Sequence, residues 1–307
     1  MKNILITGGT GFIGSRLIPS FIKKDPEIKR IYILTRSSVK AKKVFTDLED
    51  EIKPIESLKK ITKNTKIDTV INLAGEPIAD KKWSNQRKTE LRQSRIETTK
   101  DIIDLIERLE KKPEVIINAS AIGYYGSQDP NEQLDEDSKP QEEFTHFLCK
   151  DWENEALRAE KLGVRVCLAR FGIILGKDGG ALKKMLTPFK FGLGGKIASG
   201  EQAMSWIHLE DVIRGITFLM NNKNLEGPFN FCSPGAVTNK QFTKSLAKTL
   251  ARPAFFDMPL PVVKILFGEM GETLLAKGQN VYPRKLLESG FNFRYRRIDS
   301  ALRNIAG

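Results

Sequence analysis

Histidine is nearly absent: the 307-residue chain carries two, His146 and His208. Two imidazoles cannot supply the ligand sets of a histidine-based metal centre, so no metal is expected. Cysteine is scarce as well. Cys149, Cys167 and Cys232 are odd in number, far apart and outside any CxxC spacing, which excludes a disulfide framework and leaves reduced, buried thiols. Also missing is any apolar run near the ~18 residues that a bilayer-spanning helix requires, and MKNILITGG enters a strand without the layout of a signal peptide. A soluble, cytoplasmic protein without a membrane partner is the expectation. Acidic residues are in deficit, with 38 Asp plus Glu against 50 Lys plus Arg and a formal charge of +12. That excess attracts polyanions in general. It is scattered, however, apart from clusters between Lys23 and Lys43 and at Arg294, Arg296 and Arg297, and neither sits in a nucleic-acid module, so no nucleic-acid partner is expected.

What is present is ordinary globular composition, 40% hydrophobic and 29% charged. The first half alternates short β-rich runs (NILITGG, RIYILTR, DTVINLAG, EVIINASAIGYYG, VRVCLARFGIILG) with charged helical stretches such as QRKTELRQSRIETTKDIIDLIERL. That rhythm marks βαβ units and predicts an α/β fold, a Rossmann-type doubly wound parallel sheet. After Gly176 a glycine-rich stretch predicts loops and a short helix, then WIHLEDVIRGITFLM a helix and GPFNFCSP a strand. From Thr238 onward the pattern is helical and broken by prolines. The predicted organisation is a nucleotide-binding domain over 1–175, re-entered at about 206–235, with a small, mainly helical substrate domain from 176–205 and 236–307.

ITGGTGFIGSRLI sets Gly8, Gly11 and Gly14 between the first strand and a helix. Small residues there let the backbone approach a pyrophosphate, and the helix start offers free N–H groups and a positive dipole. Gly8, Thr10, Gly11, Phe12, Ile13 and Gly14 are therefore candidate dinucleotide contacts. An acidic residue at the end of the second strand would hold a ribose 2′-hydroxyl and repel a 2′-phosphate. This chain reads YILTRSS, and Thr35 and Arg36 suit a phosphate dianion. NADP(H) is the cofactor expected.

TGGTGFIG, NLAG and IHLED resemble the extended short-chain dehydrogenase/reductase superfamily of epimerases and dehydratases. AGEPIADKKW, ELRQSRIETT, SAIGYYG, SGEQAMSWIHLED and GQNVYPRKLLESGFNF are similar to its "epimerase family protein" subgroup, which has a short C-terminal domain of its own. The resemblance covers nearly the whole chain. It implies further NADP contacts at Leu73, Ala74 and Gly75 of NLAG, at Glu90 and Arg95 in the following helix, and at Ile174 near the nicotinamide.

That superfamily moves protons with a Tyr and, four residues on, a Lys that lowers the phenol pKa; the spacing puts both on one helical face. The equivalent stretch here is EFTHFLCKDWE, which contains no Tyr. With the register set by Glu153, Thr145 stands for the Tyr and Cys149 for the Lys. A register shifted by one offers His146 and Lys150. The hydroxyl position of the preceding strand falls on Ala121, with Ser120 one residue away and Tyr124 or Tyr125 as phenols from another direction. Ser120, Tyr124 and His146 are the candidate catalytic residues. His208, in WIHLED, suits packing or a helix start. Two readings follow: an atypical NADP(H)-dependent oxidoreductase or epimerase acting on a small molecule in a cleft roofed by Gly179 to Gly200, or an NADPH-sensing protein without turnover. Oligomeric state is left open, a homodimer included.

Overall fold

The computed structural model describes residues 2–307. Seven short runs form one parallel sheet: β1 (Lys2–Thr7), β2 (Ile28–Leu34), β3 (Ile52–Ile55), β4 (Thr69–Asn72), β5 (Val115–Ala121), β6 (Arg165–Phe171) and β7 (Gly227–Phe231). Across the sheet they run β7-β6-β5-β4-β1-β2-β3. This is the α/β doubly wound sheet that the sequence rhythm predicts. The rhythm misses β3, four residues interrupted by Pro54; a proline without an N–H is tolerated there because β3 pairs on one side only.

Alternation sorts the strand side chains onto two faces. Ile4, Ile6, Ile71 and Ile117 pack under α1 (Gly14–Lys24) and α6 (Leu209–Asn221), while Leu5, Val70 and Ile116 pack under α3 (Asn85–Arg108) and α4 (Phe144–Leu157). Between them in the chain lie α2 (Ser38–Val44) and α5 (Gly180–Lys190). Two helix starts are sealed by side chains as follows: Ser84 accepts from the Arg87 N–H, and Thr238 forms a capping box with Gln241 at the start of α7 (Asn239–Leu250). No helix among the described residues is long and apolar enough to cross a membrane.

A second core joins α5, α7 and α10 (Ile298–Ala306) through Leu182, Phe189, Phe242, Leu246, Leu302 and Ile305. Asp211, fully buried in α6, binds this body to the sheet by accepting from the Arg294 and Tyr295 N–H groups, both at 2.8 Å. The glycine-rich stretch is ordered by backbone pairing: Phe256 N–H to Gly194 O and Met258 N–H to Lys196 O. A Cβ on Gly195 would stand 2.0 Å from the Phe256 carbonyl oxygen, so only glycine allows that approach. α8 (Leu260–Gly271) reaches back over α3, with Lys88 to Glu269 at 2.7 Å and Met270 packed among Trp83, Leu91 and Leu148. α9 (Arg284–Glu288) lies beside β7.

Candidate functional site

Sheet order reverses between β1 and β4, so a crevice opens at their carboxyl ends, the usual ligand position in such sheets. β1 leaves the sheet through Gly8, whose φ of +65° suits glycine. A Cβ on Gly8 would lie 2.6 Å from the Leu73 carbonyl oxygen, and one on Gly14 would lie 2.5 Å from the Gly9 Cα. The phosphate loop is thus tight against the turn after β4, which brings Gly8–Gly14 and Leu73–Gly75 together. Below them a buried polar chain fixes the strand ends. Thr7 Oγ1 donates to Asn72 Oδ1 (2.5 Å) and accepts from the Ala74 N–H, and Asn72 Nδ2 donates to Asn118 (2.6 Å) and Thr99 (2.9 Å). Phe12 lies under Gly176–Gly180, where a Cβ on Gly179 would meet its ring at 2.4 Å, and Arg16 pairs with Asp178. Ile174 sits just before that turn, in the short strand Ile173–Leu175.

At the end of β2, Thr35 Oγ1 accepts from the Ser37 N–H (3.2 Å), and Ser37 caps α2. Arg36 stands free of the surface with a side chain 95% exposed and one ion pair, Nη1 to Glu76 Oε1 at 3.2 Å. Glu76 follows directly on NLAG. Its N–H donates to Ser94 Oγ and its carbonyl accepts from Arg95 Nη2 (3.0 Å). Arg95 itself lies beneath Gly75, with its guanidinium carbon 3.2 Å from where a Cβ would be, and faces the Trp152 ring. It supports the turn from below. Glu90 pairs with Arg87 at 3.0 Å, and Arg87 also donates to the Pro77 carbonyl and lies 3.9 Å from Glu76. Arg87 is buried, and its Nε has no acceptor among the described residues. Arg36, Glu90 and Arg95 are thus linked to the turn at Gly75 through Glu76 and Arg87. Glu76 and Arg87 belong to the same cluster but were not singled out, since only the fold brings charges from three segments together.

The helix expected to carry the chemistry is α4. Thr145 and Cys149 stand on its buried face, with Thr145 Cβ 3.2 Å from where a Gly123 Cβ would be. Burial pushes the Cys149 thiol up to about 12, so it carries no charge and cannot replace a lysine. Lys150 is exposed, whereas His146 is buried, so the shifted register does not give a matched pair. Glu153 does the charged work of this face. It accepts from Ser120 Oγ (2.6 Å) and from Arg170 Nε (2.9 Å) and Nη2 (2.8 Å) in a pair 4 and 5% exposed. Ser120, 3% exposed, is thus a member of a buried ion-pair network, with its hydroxyl committed to Glu153. Burial opposes the Arg170 charge, but its bonds to Glu153 outweigh this and raise its pKa. Arg170 also donates to Tyr125 Oη (3.0 Å), which donates to Asn230 (2.7 Å); burial raises that phenol, which is closed off from chemistry.

Tyr124 differs. It is half-buried, its ring lies 3.5 Å from the Arg170 guanidinium carbon, and its hydroxyl has no partner among the described residues. The His146 ring packs edge-on against it at 5.1 Å, and Nδ1–H donates to the Tyr124 carbonyl at 2.7 Å. A carbonyl only accepts, so the proton is on Nδ1 and Nε2 is the nitrogen without a partner. His208 takes the helix-start role: Nδ1 accepts from the Glu210 N–H at 3.0 Å, and Nε2–H donates to Asn304.

A glycine-walled crevice at the switch point of a doubly wound parallel sheet defines a dinucleotide-binding protein of the Rossmann type. The chain belongs to the NAD dependent epimerase/dehydratase family, which matches residues 4–232; residues 258–305 match a domain of unknown function (DUF1731). The resemblance read from the sequence motifs holds. The chain is 37% identical over 307 residues to the epimerase family protein SH2119 of Staphylococcus haemolyticus, covering 99% of each. It is also 37% identical to the chloroplastic SDR39U1 homolog of Arabidopsis thaliana, covering 98% of this chain and 86% of that one. Among solved structures, human epimerase family protein SDR39U1 with NADPH is similar at 29% identity, 99% coverage of both chains and a TM-score of 0.88. UDP-glucuronic acid 4-epimerase from Bacillus cereus, at 17% identity and a TM-score of 0.77, shares the fold.

Proposed function

We propose that this chain binds NADP(H) and interconverts a small carbonyl or hydroxyl compound, with Tyr124 handling the proton. The residues fit the cofactor. Gly8 and Gly14 let the loop fold tightly where a Cβ would strike the Leu73 carbonyl or the Gly9 backbone, Arg36 extends an exposed guanidinium at the end of β2, and a similar human protein is described with NADPH. Gly8, Thr10, Gly11, Phe12, Ile13 and Gly14 would hold the pyrophosphate, Thr35 and Arg36 the 2′-phosphate, Leu73–Gly75 and Glu90 the adenosine side, and Ile174 the nicotinamide side, with Arg95 holding the turn. Bound NADP(H) supplies or accepts the hydride.

The observation that carries the chemical reading is the unpartnered hydroxyl of Tyr124. Its ring is clamped on Arg170 and its main chain is held by His146, so the phenol is presented in one direction. The Arg170 cation next to that ring would take the electrostatic part that the family gives to a helix lysine. Ser120 and Glu153 hold Arg170 in place, which gives Ser120 a supporting role. The substrate would enter between the sheet and the bodies at 176–205 and 236–307, beneath Gly179–Gly200.

A library of aldehydes, ketones and quinones added to the NADPH-bound protein, followed by NADPH absorbance, tests this. Tyr124→Phe should lower turnover by about 10²–10⁴-fold with NADPH affinity unchanged. Full activity in that variant would overturn the assignment. The buried, uncharged Thr145 and Cys149 on the dyad face favour a second reading, an NADPH sensor, which would bind tightly and oxidise nothing.

A further inference from the structure

We infer that Glu76 sets the cofactor preference of this chain by competing with the cofactor 2′-phosphate for Arg36, an inference that rests on the NADP(H) reading above. Arg36 makes one ion pair, 3.2 Å to Glu76 Oε1. The two partners are unequally held. The Arg36 side chain is almost wholly exposed and can swing, whereas Glu76 is pinned by its main chain, N–H to Ser94 Oγ at 3.1 Å and carbonyl to Arg95 Nη2 at 3.0 Å. A phosphate dianion that recruits Arg36 therefore takes it away from a carboxylate that stays behind.

That carboxylate has an alternative partner. Arg87 lies 3.9 Å from Glu76 Oε2, is buried, and has an Nε without an acceptor among the described residues. It remains tied to Glu90 and to the Pro77 carbonyl, so it cannot follow the phosphate. The cluster thus has two arrangements: Arg36 on Glu76, or Arg36 on the phosphate with Glu76 left to Arg87. A dinucleotide that lacks the 2′-phosphate brings no rival anion and leaves the first arrangement intact. Glu76 consequently opposes NADPH through both competition and like-charge repulsion, and is indifferent to NADH.

Exposed ion pairs are weak, so the effect is moderate. Glu76→Gln should tighten NADPH binding about two- to fivefold, leave NADH binding unchanged, and lose most of the gain at high ionic strength. Fluorescence titration with NADPH and NADH, with 2′-AMP as a competing probe that samples the phosphate site alone, reads this out in wild type, Glu76→Gln, Arg36→Ala and the double variant. The gain should also appear with 2′-AMP and shrink in the Arg36→Ala background. Equal changes for NADPH and NADH, weaker NADPH binding, or a gain undiminished by Arg36→Ala would overturn the inference. Wild-type protein that binds NADH as tightly as NADPH would instead sink the cofactor reading; a wild-type NADPH preference that Glu76→Gln leaves unaltered sinks only the role of Glu76.

Discussion

Glu153 is where removal of one carboxylate should cost the fold most. It accepts three hydrogen bonds, from Ser120 and twice from Arg170, in a pair that solvent hardly reaches. Its loss leaves Arg170 buried with the Tyr125 hydroxyl and two aromatic faces but no counter-charge. Breaking a buried pair from one side costs about 3–5 kcal/mol, because the remaining charge stays desolvated. With a urea slope of roughly 3 kcal/mol/M, Glu153→Gln should lower the unfolding midpoint by about 1–1.7 M. Asp151, on the same helix, is the control: its pair with Arg92 is exposed, and Asp151→Asn should cost no more than about 1 kcal/mol. Replacing both charges together, Glu153→Leu with Arg170→Met, should recover most of the loss, since an apolar pair carries no desolvation penalty. A Glu153→Gln midpoint within the range of the Asp151→Asn control would refute the reasoning, because the network would then be contributing no more than a surface contact.

The thiols and the second histidine give further tests. Burial pushes Cys149 up to about 12 and Cys167 up to about 11, and raises Cys232 as well, so a thiol reagent at pH 8 should label none of the three in the native protein and all three in denaturant; labelling of the folded chain would show that the α4 face opens. Burial lowers the His208 pKa below 6.5, against the pull of Asp211 and Glu210, so the unfolded chain binds the extra proton more readily than the folded one. Its contribution to stability is then complete above the unfolded value near 6.5 and is lost as pH falls through that value toward the folded one; His208→Asn, which keeps an acceptor for the Glu210 N–H, should flatten the stability profile on the acid side of 6.5.

The fold was legible where one residue type serves one local purpose. Gly8 and Gly14 read correctly as a strand-to-helix turn because the demand on them is steric and local, and the run QRKTELRQSRIETTKDIIDLIERL gives α3 to within a residue at either end. β3 was illegible because Pro54 normally argues against a strand, and its edge position, which excuses the proline, is a property of the assembled sheet. The Arg36, Glu76, Arg87 and Glu90 cluster was half legible. Arg36 has a positional meaning at the end of β2, but Arg87 and Glu76 acquire theirs only when α3 returns beside the NLAG turn.

The same distinction separates Ser120 from Tyr124. In sequence, both are hydroxyl-bearing residues near the end of β5, and neither can be preferred. In the fold, β5 alternation sends Ser120 inward to Glu153, while the short helical turn Ile122–Tyr125 carries Tyr124 out of the strand register and sets it over Arg170. Thr145 and Cys149 let α4 pack closely against Gly123, where a Cβ would stand 3.2 Å from the Thr145 Cβ and 3.8 Å from the Cys149 Sγ. β6 supplies a buried cation, Arg170, which Glu153 balances. That charge is anchored in the sheet, and Tyr124, held by it and by His146, has a hydroxyl without a partner among the described residues.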